Sequence, residues 1–201
     1  RLKMAVEKAR EFNTPADNIK RAIARGSGQT GEREIEEIRY EGYGPHGLAV
    51  VADAATDNRN RTAGELRFLF AKHDGTLGET GSVAWMFDAV GIVEGDTAGK
   101  SEDRFTEDAL VDGVDDVEFD PEGASIYTNP AKLASVRDAL QTRGMKISDA
   151  YLGMRAKTRV ELQGDALAAA LTFLEALDEH EDVQRVFSNL DMSNVSLEAL
   201  A

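Results

Sequence analysis

The sequence predicts an α+β protein of more than one domain: a remnant of a helical bundle, an α/β part that mixes strands and helices, and a ferredoxin-like unit. Three observations carry this reading. Residues 2 to 23 repeat apolar side chains at helical spacing. Residues 35 to 55 hold two strand-like runs joined by a glycine-rich turn. From residue 91 to 154 the elements alternate as β–α–β–β–α–β, which is the ferredoxin-like order. A chain of 201 residues, 42% of them hydrophobic, is long enough to bury a real core for these parts.

At the amino-terminal end, Leu2, Val6, Ala9 and Phe12 fall on one helical face. A second helix is predicted from Thr14-Pro15-Ala16-Asp17: Thr14 caps, Pro15 takes the first helical position where its missing N–H is harmless, and Asp17 faces the helix dipole. Ile19, Ala22 and Ile23 form its apolar face, and Gly26-Ser27-Gly28 ends it. Two short helices bury little alone, so they read as the tail of a helical domain.

Residues 35 to 40 and 47 to 55 read as antiparallel strands, with Gly42, Gly44, Pro45 and Gly47 in the connection. Thr62 and Glu65 have the spacing of a capping box, which predicts a helix to about His73 with Leu66, Leu69 and Phe70 buried. Ser82-Val83-Ala84-Trp85-Met86-Phe87 is expected to be a central strand. Within the ferredoxin-like unit, helices are predicted at 104 to 112, closed by Gly113, and at 131 to 143, closed by Gly144. Strands are expected near 91 to 93, 116 to 119, 124 to 128 and 146 to 154, with Asp120-Pro121-Glu122-Gly123 as a turn. A last helix spans 165 to 178 and a short strand 182 to 187, and both are expected to return to the part begun at residue 31.

The chain has no cysteine, which excludes disulfides, thiolate nucleophiles and cysteine-ligated zinc. No run approaches 18 apolar residues, so no membrane is expected as partner. The sequence begins Arg1-Leu2-Lys3 without an initiating methionine, and it is expected to start inside a larger gene product. The net charge of −14 opposes nucleic-acid binding, but its distribution weakens the objection. Residues 1 to 30 carry +4, whereas 31 to 88, 89 to 158 and 159 to 201 carry −5, −6 and −7.

An enzymatic reading finds little material. His46, His73 and His180 lie outside metal-binding spacings, and Asp115, Asp116 and Asp120 lack the glycine and glutamate of a calcium loop. Gly42-x-Gly44-x-x-Gly47 matches a dinucleotide fingerprint only formally, because it joins two strands and does not open a helix. No metal and no cofactor is expected. Binding has more to work with. Arg59 and Arg61 are placed just before the helix predicted from Thr62, where guanidinium forks and free N–H groups suit a phosphate. Tyr43 suits stacking on an unpaired base, Gly44 lies in a turn whose N–H groups suit an anion, and Lys20, Arg21 and Arg25 share one short helix. Asp53 and Asp57 are the carboxylates expected to compete for the two arginines.

The ordered motifs Tyr40-Glu41-Gly42-Tyr43-Gly44-Pro45, Asp57-Asn58-Arg59-Asn60-Arg61-Thr62 and Gly78 with Gly81-Ser82-Val83-Ala84 resemble the YebC/PmpR family, which includes mitochondrial translational activators. The resemblance runs essentially from Arg1 to Ala201. It implies three domains: residues 1 to 30 as the end of a helical domain, 31 to 88 with 159 to 201 as a discontinuous second domain, and 89 to 158 as a ferredoxin-like third domain inserted into the second. It also implies that roughly the first fifty residues of a usual member, with a basic arm, precede this chain. His46 stands where members often have glycine.

Two functional readings result. The resemblance implies a non-enzymatic cytoplasmic regulator that binds nucleic acid, either as a DNA-binding transcriptional regulator or as a translation factor associated with the ribosome and its RNA. The competing reading is an acidic adaptor whose residues 89 to 201, with a summed charge of −13, steer a basic protein.

Overall fold

The periodicities resolve into six helices and eight strands among the described residues of the computed structural model, which are 2–27, 35–120 and 122–192. Arg1, residues 28 to 34 including the Gly28 expected to end the second helix, Pro121 of the expected turn, and residues 193 to 201 lie outside them. The protein is a mixed α/β fold with two four-stranded sheets. It divides into two compact units, Arg1–Met86 with Ala156–Ala201, and Phe87–Arg155.

The first unit opens with α1 (Leu2–Glu11) and α2 (Ala16–Gly26). Pro15, with ψ of 137°, stays outside α2, and its carbonyl accepts from Asn18 and Ile19. Thr14 therefore does not cap the helix, and no side chain does. Nor is the expected apolar face a core: α2 buries none of its residues, and Ile23 is exposed.

The sheet of this unit runs β3-β1-β2-β8, with β1 (Glu36–Tyr43), β2 (Ala49–Thr56), β3 (Thr76–Leu77) and β8 (Val183–Ser188). β1 and β2 pair antiparallel, Tyr43 facing Ala49 and Glu36 facing Thr56. β8 pairs antiparallel with β2, Val51 opposite Phe187. Leu48 and Ala49 to Ala52 are all buried, which explains why this segment reads as a continuous apolar run without alternation. Leu48, Val50 and Ala52 meet Leu66 and Phe70 of α3 (Arg59–Lys72) and Ala170, Phe173 and Leu177 of α6 (Gly164–Asp178). Phe70 and Phe173 lock edge to face, 4.9 Å between ring centroids.

Two of the differences from the expected boundaries matter for the site. α3 starts at Arg59, capped by Asn58, whose side chain accepts from the Arg61 N–H. Thr62 is buried within its first turns. The stretch 82 to 86 is not strand: Ala84–Met86 is a 3₁₀ turn, and β4 begins at Phe87. Its backbone donors are claimed by a side chain, described below.

In the second unit, β4 (Phe87–Gly95), α4 (Glu102–Ala109), β5 (Val114–Asp120), β6 (Gly123–Thr128), α5 (Leu133–Thr142) and β7 (Ile147–Ala156) follow in that order, and the sheet runs β5-β6-β4-β7. α4 ends at Ala109, earlier than the expected 112, and Gly113 instead turns the chain into β5. A 3₁₀ turn, Pro130–Lys132, occupies the expected start of α5. Phe105, Ile126, Val136 and Leu140 are fully buried in this unit.

Candidate nucleic-acid interface

A buried carboxylate organises the loop that follows β3. Glu41 is 3% exposed, and its oxygens accept from the N–H groups of Gly81 (2.8 Å), Val83 (3.0 Å) and Ala84 (2.8 Å). Its backbone carbonyl takes the Gly78 N–H at 2.7 Å. Burial by itself pushes the Glu41 carboxyl up, yet the three N–H donors together hold it below its ordinary value. These bonds explain why residues 82 to 84 make a turn: donors that a strand would give to a neighbour are given to Glu41. The loop then presents Trp85, which is 66% exposed and donates from Nε1 to the Ser82 carbonyl at 3.1 Å. In the sequence Glu41 has no visible role, and Trp85 falls in a run with the composition of a strand. A glutamate in a strand otherwise turning buried was the available signal.

The start of α3 forms a second constellation. Nη2 of Arg61 donates to both carboxylate oxygens of Asp182 at 2.9 Å. Asp57 lies 3.4 Å from its other terminal nitrogen, and the Thr62 hydroxyl donates to Asp182 at 2.6 Å. Asp182 is buried; burial raises its pKa, but the Thr62 and Arg61 bonds bring it below the ordinary carboxylate value. Asp53, the other expected partner, instead holds Arg39 through 2.6 and 2.9 Å bonds. His180 Nε2 stands 3.2 Å from Glu65, and its Nδ1 accepts from the Asp182 N–H. Glu65, His180 and Asp182 are close enough together to be metal ligands, but the Arg61 guanidinium already sits on the Asp182 oxygens. Asp182 is 121 positions from Arg61, and no local pattern could pair them.

The other expected contacts fall as follows. Arg59 lies in the first turn of α3, not in a loop before it; it is exposed, and its carbonyl accepts from the Tyr40 hydroxyl. Tyr43 ends β1, 38% exposed, and its hydroxyl donates to the Ser82 carbonyl at 3.4 Å, which brings it beside Trp85. Gly44 adjoins it, but its N–H is committed to the Leu48 carbonyl at 2.7 Å. A Cβ there would stand 2.6 Å from Cδ1 of Phe173, so close approach of a ring accounts for this glycine. His46 has φ of 56°, the left-handed region that favours glycine. Lys20, Arg21 and Arg25 are exposed on α2, with Arg21 bonded to the Asn18 side chain.

Sequence reasoning passed over the outer face of α3. Arg67, Phe68 and Lys72 are exposed there, and Phe68 is 71% accessible. Among the described residues, Arg59, Arg67 and Lys72 have no carboxylate partner. No described helix is long and apolar enough to cross a membrane.

Two four-stranded sheets of this order, with their helices, define a mixed α/β protein that carries charged helix faces and a pinned aromatic loop. The chain belongs to the TACO1/YebC family: the model of that family's second and third domain matches residues 35–190. It is 49% identical over 202 residues to a probable transcriptional regulatory protein of Herpetosiphon aurantiacus, covering 100% of this chain and 80% of that protein. A protein of the same description from Pelotomaculum thermopropionicum is 45% identical over 196 residues, covering 96% and 81%. A crystal structure of a conserved hypothetical protein from Aquifex aeolicus superposes with a TM-score of 0.88 at 37% identity, covering 94% of this chain and 78% of that one.

Proposed function

We propose that this chain is the greater part of a non-enzymatic cytoplasmic regulator of gene expression that binds nucleic acid, as a DNA-binding transcriptional regulator, a ribosome-associated translation factor, or both. The observation that carries the proposal is the set of exposed basic side chains on α3. In a chain of net charge −14, Arg59, Arg67 and Lys72 lie exposed on one helix without carboxylate partners among the described residues. Lys20, Arg21 and Arg25 add an exposed basic helix. Phosphate contacts of this kind fix position and leave base identity unread. Arg61, whose Nη2 is held by Asp182, stands in the first turn of α3 beside Arg59, while Tyr43 and Gly44 form the neighbouring edge.

The proposal includes a domain scheme: residues 31–88 with 159–201 as one domain and 89–158 as a ferredoxin-like insertion. The strand order β5-β6-β4-β7 with its two helices, and the return of β8 to β2, support it.

Sedimentation with ribosomes, compared with retention on duplex DNA at the same salt, separates the two targets. The triple variant Arg59→Ala, Arg67→Ala, Lys72→Ala is expected to lower the salt dependence by up to about three phosphate contacts. Failure to bind either polymer refutes the proposal.

A further inference from the structure

We infer that Tyr43 and Trp85 form a platform on which an unpaired base of a single-stranded nucleic acid stacks, with the Lys157 ammonium beside it for the phosphate. This rests on the nucleic-acid reading above and names the part of the polymer that the chain holds.

Aromatic residues make up only 6% of the chain, and Trp85 is its one tryptophan, yet that ring is left 66% exposed. The exposure is not a loose side chain. Trp85 Nε1 and the Tyr43 hydroxyl both donate to the same acceptor, the Ser82 carbonyl, at 3.1 and 3.4 Å. The polar edge of each ring is thereby satisfied and held, while neither ring stacks on another among the described residues. The carbonyl that holds them belongs to the loop fixed by Glu41, whose anchor residue Val83 is fully buried. Two planar faces are therefore presented by a backbone that has little left to lose on binding, which favours affinity.

The surroundings select the ligand. The loop between β3 and Trp85 is Gly78-Glu79-Thr80-Gly81-Ser82-Val83-Ala84; its one large aliphatic side chain, Val83, is buried, so it offers no exposed aliphatic anchor of the kind a protein docking patch would add. Lys157 donates from Nζ to the Trp85 carbonyl at 3.0 Å, and its N–H bonds to the Met86 carbonyl at 2.9 Å, so a cation is tied to the segment that carries the ring. Flat faces beside a cation suit a nucleotide, and only an unpaired base offers its face for stacking.

The lone tryptophan makes the test direct. The full chain is titrated with a short fluorescently labelled oligouridine, and anisotropy of the label and emission of Trp85 are recorded together. Saturable quenching of Trp85 that follows the anisotropy, and fails with an abasic oligomer of equal length, is the expected result. Trp85→Leu should weaken binding about 5- to 150-fold, the range of one stacked base. Trp85→Phe should recover most of the loss, and Leu110→Ala, at an exposed apolar position in the other unit, should change nothing. Circular dichroism of each variant excludes unfolding. Anisotropy without quenching, and with Trp85→Leu unaffected, overturns the platform while leaving nucleic-acid binding in place. Absence of anisotropy removes both. Quenching by a proline-rich peptide but not by the oligonucleotide assigns the rings to peptide and also overturns the inference.

Discussion

Replacing Glu41 by glutamine should destabilise the first unit far more than an isosteric change ordinarily does. The glutamate accepts three backbone bonds through two oxygens, Val83 and Ala84 sharing one and Gly81 taking the other. Glutamine keeps one oxygen, which serves the Val83 and Ala84 pair, and turns its NH₂ toward the Gly81 N–H. The two retained bonds change from charge-assisted to neutral, a loss of about 0.5–1 kcal/mol each. Gly81 is more accessible, so water replaces part of what its N–H loses, and about 1 kcal/mol is a fair allowance. The sum is about 2–3 kcal/mol, or a fall in Tm of roughly 4–12 °C for a chain of this size. Trp85 emission should report opening of the loop in the same melt that circular dichroism follows globally.

The pH dependence provides a second readout. The folded pKa of Glu41 lies below its ordinary value of 4.5, so the stability it contributes is complete above that value and is lost as pH falls through the lower folded pKa. The gap between wild type and Glu41→Gln should therefore narrow steadily as the solution is acidified below about pH 4.5. If Glu41→Gln melts within about 0.5 kcal/mol of wild type at neutral pH, the three bonds do not hold the loop and the reasoning fails.

Asp182→Ala should cost about 1–2 kcal/mol by removing the buried acceptor of the Thr62 hydroxyl, which falls back on Thr56 and the Asn58 carbonyl, while Arg61 is left to Asp57. Arg61→Ala should lower Tm in wild type but add little in the Asp182→Ala background; additive losses in urea denaturation would show the two residues to be independent. Gly44→Ala should destabilise by about 1–3 kcal/mol through overpacking against the Phe173 ring. Gly64→Ala, whose Cβ would meet open space on α3, should stabilise by about 1 kcal/mol, and thermal melts of the two variants should move in opposite directions.

Sequence by itself determined the order of elements, because helix and strand periods are local. The runs at 165 to 178 and 124 to 128 appear as α6 and β6 within a residue of expectation. Local chemistry also misled where two reasonable caps competed: Thr62 with Glu65 has a capping-box spacing, yet Asn58 caps α3, since Thr62 is drawn inward by Thr56 and Asp182. Residues 82 to 86 have the composition of a strand, and a glutamate 42 positions before Val83 takes the N–H groups of Val83 and Ala84. Gly44 read as an anion turn, and a phenylalanine from α6 explains it as a site of close approach. In each case the deciding partner lies far away in the chain, and its contribution is a hydrogen bond or a contact volume that leaves no periodic trace. The tertiary structure alone therefore decided which arginine is tied to a buried carboxylate, and that the one tryptophan and Tyr43 meet at a shared carbonyl.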